Sequence, residues 1–220
     1  MRIPLFAIII VFVIWLNLKA HLSSRRDEDK KRAFWEREIL ANRTRKQPLD
    51  SLAYITVPEH LLPPDTLNEP FPARDAARRI RDLTEENATI VNLTGYTNTD
   101  LKMEYGPANL PALSEYDARY TILATALQEV GDALFEEERY EEACSLLEFA
   151  ISTGTDISAC YRMLIDLYRN RLGLKAETAD EKISALLPVA ESLRSLSRDG
   201  IVRMVKEAMG HPDVAAVPTA

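Results

Sequence analysis

Apolar residues recur at helical spacing in two neighbouring stretches of the chain, 123–134 and 143–151. The first stretch places four of them at i, i+4, i+7 and i+11, on one helix face: Leu123, Leu127, Val130 and Leu134. The second places four at i, i+4, i+7 and i+8: Ala143, Leu147, Ala150 and Ile151. The wholly polar run 136–139 lies between them and gives the chain a place to turn. The pattern predicts a helix–turn–helix unit over 124–157.

Small residues at Gly131, Ala143 and Ala150 predict that the two helix backbones approach each other closely. Such a hairpin cannot bury its apolar face alone, so it requires neighbouring helices, and stacked hairpins usually form a binding groove. The sequence therefore predicts an all-α scaffold, and it leaves the ligand open.

This stretch resembles a tetratricopeptide repeat (TPR), whose 34-residue pattern has large, apolar, glycine, aromatic and alanine residues at fixed places. The residues on those places are Leu127, Val130, Gly131, Leu134, Tyr140, Ala143, Leu147 and Ala150. Leu127 replaces the family's usual tryptophan, and Thr155 replaces its closing proline. Residues 47–120 also resemble the region between anchor and repeat in membrane-anchored repeat proteins of Gram-positive bacteria. The resemblance implies TPR-like helical hairpins, in a short α-solenoid, that mediate protein–protein interaction.

A second copy of the pattern begins one repeat length later. Tyr161, Leu164 and Tyr168 fall on the places of Leu127, Val130 and Leu134. The sequence then departs from the pattern and predicts a longer connection, Gly173 to Asp180, before a helix at Glu181–Leu196. A capping helix is expected at Ser197–Met209. A generic helical bundle is the alternative to a repeat array.

The run Ile3–Leu18 is apolar except for Asn17, and its helix would span about 24 Å, somewhat less than the hydrocarbon core of a bilayer. We interpret residues 1–22 as an uncleaved transmembrane anchor, with a cleaved signal peptide as the alternative. Basic residues are concentrated after the run, which favours a cytoplasmic body by the positive-inside rule. The opposite orientation stays open, because Asn42, Asn87 and Asn92 each begin a glycosylation sequon.

The remaining chain divides by composition. The predicted parts are the transmembrane anchor at 1–22, a basic juxtamembrane helix at 23–47, a proline-rich linker at 48–72, a TPR-like helical domain at 73–210 with an irregular segment at 84–113, and a disordered tail at 211–220. The juxtamembrane helix either lies along anionic headgroups or is solvated. The linker is either a spacer or a ligand for a partner. The irregular segment is expected to form loops and short turns, which cap the first helix pair or fill its groove.

Charge and chemistry narrow the function. Residues 1–50 carry eleven Lys and Arg against six Asp and Glu, a net charge of +5, whereas 51–220 carry sixteen against twenty-eight, a net charge of −12. An acidic body argues against a nucleic-acid partner. Cys144 and Cys160 are interpreted as buried apolar residues, although a disulfide between them is conceivable. The three histidines have no ligand or triad spacing, and no catalytic motif occurs, so we expect no metal, no cofactor and no enzyme activity.

The concave face of a repeat array is lined mostly by its first helices. The tyrosines Tyr161 and Tyr168 are expected to pack between units. The candidates for exposed contacts with a protein or peptide partner are Gln128, Asp132, Arg162, Asp166 and Arg169. The prediction is a membrane-anchored adaptor, with a structural subunit of an envelope complex as the alternative. Fewer than three repeats is marginal, so either 73–120 completes the core or the protein forms a homo-oligomer.

Overall fold

The computed structural model describes residues 5–68, 70–86 and 88–210. Between residues 5 and 27 the side chains that it describes are those of Phe12, Trp15, Leu16 and Lys19. Within these residues the protein is all-α, as predicted. The helices are α1 (Leu5–Arg43), α2 (Arg74–Glu85), α3 (Asn98–Tyr105), α4 (Leu110–Glu136), α5 (Tyr140–Ser152), α6 (Ser158–Asp166), α7 (Ala176–Ser192) and α8 (Arg198–Gly210). A π-helical turn, Leu167–Arg171, continues α6.

The described chain forms two compact units. The first unit combines Met1–Pro48 with Thr97–Leu110, and the second combines Leu49–Tyr96 with Pro111–Ala220. The first unit thus holds α1 and α3, and the second holds α2 and the hairpin helices from α4 onward.

In the first unit, α3 packs along the C-terminal part of α1. Glu38 of α1 accepts hydrogen bonds from the Lys102 ammonium and, at 2.8 Å, from the Thr99 hydroxyl of α3. These donors, Lys102 first, hold the pKa of Glu38 below its ordinary value. Arg37 pairs with Asp100 at 2.5 Å, and the fully buried Ala41 leaves room for close packing. We call this arrangement of α1 and α3 the clamp.

Helix α3 corrects the expectation that 84–113 holds only loops and short turns. It begins with a capping box, in which the Thr97 side chain accepts a hydrogen bond from the Asp100 amide and the Asp100 carboxylate accepts one from the Thr97 amide. Gly106 follows the helix, and its positive φ of +84° favours glycine. A side chain is also excluded there, because an added Cβ would lie 2.6 Å from the Arg45 carbonyl oxygen.

In the second unit, residues 137–139 connect α4 to α5, and we call this pair the first hairpin. Helix α7 contacts the π-helical turn at the end of α6, and we call α6 and α7 the second hairpin. The apolar positions of the pattern are buried, with Leu127, Leu134, Ala143 and Leu147 fully so. The predicted close approach is confirmed at Gly131, where an added Cβ would lie 2.9 Å from the Leu147 side chain. Helix α8 covers α6 and α7 at the position expected of a capping helix.

Two boundaries differ from the sequence prediction. Helix α7 begins at Ala176 rather than at Glu181, because Ala179 is buried in the core and extends the helix backward by more than a turn. The helix predicted at 23–47 is the end of α1, which stops at Arg43.

The proline-rich stretch predicted as a linker packs against the helices. Val57, Leu62 and Phe71 belong to the same apolar core as α4 and α5. One antiparallel bridge joins Tyr54 of this stretch to Val91. The stretch therefore contributes to the core of the second unit, so a free spacer does not describe it.

No helix within the described part of the chain is long and apolar enough to cross a membrane. Most side chains of the predicted anchor, and its first four residues, lie outside that part. The predicted tail at 211–220 lies outside it as well.

Candidate functional site

The candidate site is the polar face of the two first helices, α4 and α6. On α4, Gln128 and Asp132 are one helical turn apart and half-buried, and the Gln128 amide donates a hydrogen bond to the Asp132 carboxylate. Burial raises the pKa of Asp132, and the charges of Glu136 and Glu129 raise it further. The face therefore presents a carboxylate that favours a cation beside it.

On α6, Arg162 lies at the place that corresponds to Gln128 and is exposed. No hydrogen bond or ion pair of Arg162 occurs within the described residues. Of the five predicted contact residues, Gln128, Asp132 and Arg162 are accessible, and the other two are not.

Asp166 and Arg169 correct the prediction of exposed contacts. Asp166 is 3% exposed, and its carboxylate accepts hydrogen bonds from Asn170 at 2.6 Å and from Arg171 at 3.2 Å. The Arg169 side chain is 5% exposed, pairs with Asp180 of α7 at 2.5 Å and donates to the Ala208 carbonyl of α8 at 2.8 Å. Asp166 therefore stabilises the end of its own helix, and Arg169 connects that end to α7 and α8.

The π-helical turn supplies the partners of Asp166 and sets the direction of Arg169. The Leu172 amide donates to the Leu167 carbonyl, five residues back, so the side chains after Leu167 point in directions that an α-helix would not give. Arg169 turns toward α7 and α8. Arg171 lies over the rings of Phe135 and Tyr140, with its Cζ 5.5 Å and 5.6 Å from their centroids.

The tyrosines Tyr161 and Tyr168 are buried between helices, as expected. Tyr168 belongs to a polar cluster that the sequence reasoning missed, centred on Glu148 of α5. One oxygen of Glu148 accepts from the Tyr168 hydroxyl at 2.7 Å and from Lys182 at 2.9 Å. Burial acts to raise the pKa of Glu148, but these two donors outweigh it and lower the pKa. The spacing of these residues gave no signal, because they come from three helices.

Arg139 is a second polar connection that the sequence reasoning missed. Its guanidinium binds Asp65 of the proline-rich stretch through two hydrogen bonds, of 2.6 Å and 3.0 Å. It also binds Glu142 at 2.9 Å and 2.7 Å. This fork attaches the proline-rich stretch to the turn of the first hairpin.

Residues 88–96 form an extended segment, which we call the strap, that runs across one end of both hairpins. The Asn92 side-chain amide donates to the carbonyls of Thr153 at 2.9 Å and Gly154 at 3.0 Å, after α5. The Arg194 guanidinium, after α7, lies 4.4 Å from the centroid of the Tyr96 ring. The strap therefore covers the ends of the helices and leaves the polar face of α4 and α6 accessible.

The cysteines are buried and free, so the apolar interpretation holds and no disulfide forms. Burial, the first cause in each case, raises the pKa of both thiols to about 12. Among the described residues, no three His, Cys, Asp or Glu side chains come together in a way that could hold a metal ion. An open hollow of about 430 Å³ on the outer face of α8 is lined by Asp199, Val202, Arg203, Lys206, Glu207 and Gly210.

Comparison with protein-family models, with curated proteins and with solved structures gives no match for this chain. Its function is therefore inferred from its residues and their geometry.

Proposed function

We propose that the protein is a membrane-anchored, TPR-like scaffold that is not catalytic and holds a protein or peptide partner near the bilayer. The observation that carries this proposal is that α4 and α6 each have one buried apolar face and one accessible polar face. Their apolar faces are buried in one continuous core, whereas Gln128, Asp132 and Arg162 stay accessible at the places where repeat proteins contact peptides.

The electrostatics of this face support a partner that carries both signs of charge. Asp132 has a raised pKa because burial and two neighbouring carboxylates oppose its charge, so a cationic group of the partner would relieve the repulsion. Arg162 is exposed and has no ion pair among the residues that the structure describes, so it can bind a carboxylate of the partner. Opposite charges at two repeat places would fix the direction in which a peptide lies.

The anchor at residues 1–22 would hold this scaffold at the membrane, with the body on the cytoplasmic side. The acidic balance of residues 51–220 disfavours a nucleic-acid partner. No cofactor is required for this role.

A second candidate function is a structural subunit of an envelope-associated complex, in which the anchor helix is itself the interaction surface. The anchor part of α1 favours it, because its large apolar side chains at Phe12, Trp15 and Leu16 are exposed. In that case the helical hairpins would act as a rigid spacer.

The scaffold proposal is tested by charge reversal on the full-length, tagged protein. Asp132→Lys and Arg162→Glu should each reduce capture of the same co-purifying protein about tenfold, because each loses an ion pair and adds a repulsion. Arg203→Glu is the matched control: Arg203 is exposed on α8, away from the candidate face, and its reversal changes the net charge as Arg162→Glu does. Capture unchanged in both α4 and α6 variants would contradict the candidate site.

The two candidate functions are separated by removing residues 1–22. A scaffold whose site lies on α4 and α6 retains its partner without the anchor, whereas a subunit that binds through its anchor helix loses it. Protease access in intact cells and in spheroplasts then reports the orientation: cleavage of the body from outside intact cells contradicts the cytoplasmic assignment.

A further inference from the structure

The exposed face of α1 lies opposite the clamp. Trp35 is 61% exposed and Ile39 is 49% exposed, and they lie one turn apart on the same side of the helix. Arg37, which pairs with Asp100, and the buried Ala41 face α3 on the other side, and Glu38 lies between them and this face. Two large apolar side chains on this charged helix are therefore not covered by α3.

The residues around this face follow a heptad. Arg32, Trp35, Ile39 and Asn42 occupy successive a and d places, which form one seam along the helix. Lys31 and Glu36 then occupy the flanking g and e places, five residues apart. In a parallel pair of helices, residue g of one copy meets residue e of the next heptad in the other copy.

We propose that α1 pairs in parallel with α1 of a second copy of this chain along the seam Arg32, Trp35, Ile39 and Asn42. Lys31 of each copy then faces Glu36 of the other, so the symmetric pair contains two attractive contacts. Both residues are exposed, and neither has an ion pair within the described part of the chain. Trp35 and Ile39 supply the apolar centre of the seam.

The parallel direction rests on the proposed function, because two anchored copies in one membrane leave it in the same direction. The seam is short, and two apolar positions per helix would not hold a dimer in dilute solution. Anchoring raises the local concentration of α1, so a weak seam suffices at the membrane.

The alternative occupant of this face is a lipid surface. Helix α1 runs without interruption from Leu5 to Arg43, and Trp35 comes thirteen positions after Leu22, the end of the predicted anchor. At 1.5 Å per residue, Trp35 would lie about 20 Å beyond that end along the axis, past the headgroups. The uninterrupted helix therefore favours a second copy over lipid.

The experiment uses the full chain, labelled with a donor or an acceptor fluorophore, in phosphatidylcholine vesicles. Energy transfer between copies is followed as the protein-to-lipid ratio is raised. Lys31→Glu and Glu36→Lys should each weaken pairing about fivefold, because each turns two attractions into two repulsions. The double variant, Lys31→Glu with Glu36→Lys, should restore wild-type pairing.

A second set of variants tests the apolar seam. Trp35→Ala should weaken pairing about tenfold, since it removes the largest side chain of the seam. Leu40→Ala is the matched control, because Leu40 is 59% exposed but lies outside the seam, and it should leave pairing unchanged.

The outcomes separate the alternatives. Failure of the double variant to restore pairing, or equal effects of Trp35→Ala and Leu40→Ala, overturns the proposed seam. Binding that increases with anionic lipid and with Glu36→Lys, without energy transfer between copies, assigns the face to lipid instead. Vesicle flotation is a separate readout of the anchor. A chain that floats with the vesicles but does not pair contradicts the dimer and leaves the proposed function intact. A chain that pairs in the fraction that does not float contradicts the anchor.

Discussion

The first hairpin, α4–α5, and the second, α6–α7, carry an aspartate at the same repeat place but use it in opposite ways. Asp132 is half-buried among like charges on an accessible face, whereas Asp166 is buried and accepts two hydrogen bonds. The second hairpin also contains the π-helical turn, which directs Arg169 into the interior. The comparison teaches that residues at equivalent repeat positions share the core. Whether polar residues at equivalent positions remain accessible depends on the local helix geometry.

The largest effect on the free energy of unfolding is expected at the repeat position that is buried in both hairpins. Tyr161 in α6 and Leu127 in α4 are both fully buried, so Tyr161→Ala should destabilise the protein by about 4 kcal/mol and Leu127→Ala by about 3 kcal/mol. Urea unfolding followed by circular dichroism measures both. Ile122→Ala, at a side chain that is 45% exposed, is the control and should stay within about 0.5 kcal/mol of the wild type. An unchanged free energy of unfolding in Tyr161→Ala would show that the second hairpin does not share the core.

The paired aspartates give the next largest difference. Asp166→Ala should cost about 2 kcal/mol, because it removes a buried acceptor of two hydrogen bonds, one of them from a charged donor. Asp132→Ala should change stability by less than about 0.5 kcal/mol, since it removes a carboxylate that burial and its neighbours already disfavour. The same unfolding measurement decides, and equal losses at both positions would contradict the contrast between the hairpins.

The Glu148 cluster joins the two hairpins and makes a pH-dependent prediction. Its folded-state pKa is lowered, so its contribution is present above the ordinary pKa of a glutamate and is lost as the pH falls through the folded-state pKa. The contribution should be about 1 kcal/mol at neutral pH, because solvent screens a side chain that is 41% exposed. The stability difference between wild type and Glu148→Gln should shrink toward zero between about pH 5 and pH 3. A difference that is constant over this range would exclude the ionised form from the cluster.

The smallest effect concerns the turn of each hairpin. Glu138 after α4 has a φ of +60°, whereas the corresponding connection after α6 has Gly173 at +61°. Glu138→Gly should stabilise the protein by about 0.5–1 kcal/mol, because the left-handed conformation strains a residue with a Cβ. Gly173→Ala should destabilise it by a similar amount through backbone strain, since an added Cβ would meet no atom within 4 Å. Shifts of the same sign in both variants would rule out this explanation.

The apolar spacing predicted α4 and α5, and the 34-residue offset of the repeat pattern predicted α6, because the apolar residues at these places are buried. The spacing did not predict α3, although the Thr97 and Asp100 pair carried a capping signal in the sequence. The positions of Asp166 and Arg169 could not be predicted, because the spacing of the residues does not show that a π-helical turn follows Asp166. The partners of Arg139 and Glu148 also lie far away in sequence, so no local pattern identified them.

The two helices of the clamp are synthesised at different times. Glu38 and Lys102 are 64 positions apart in the chain, and the ribosome adds about ten residues per second. Lys102 therefore emerges about six seconds after Glu38. A proposed anchor can enter the membrane during that interval while the end of α1 still lacks α3. The nascent chain thus spends its first seconds with both sides of α1 uncovered, and the arrival of Thr97–Tyr105 closes one of them.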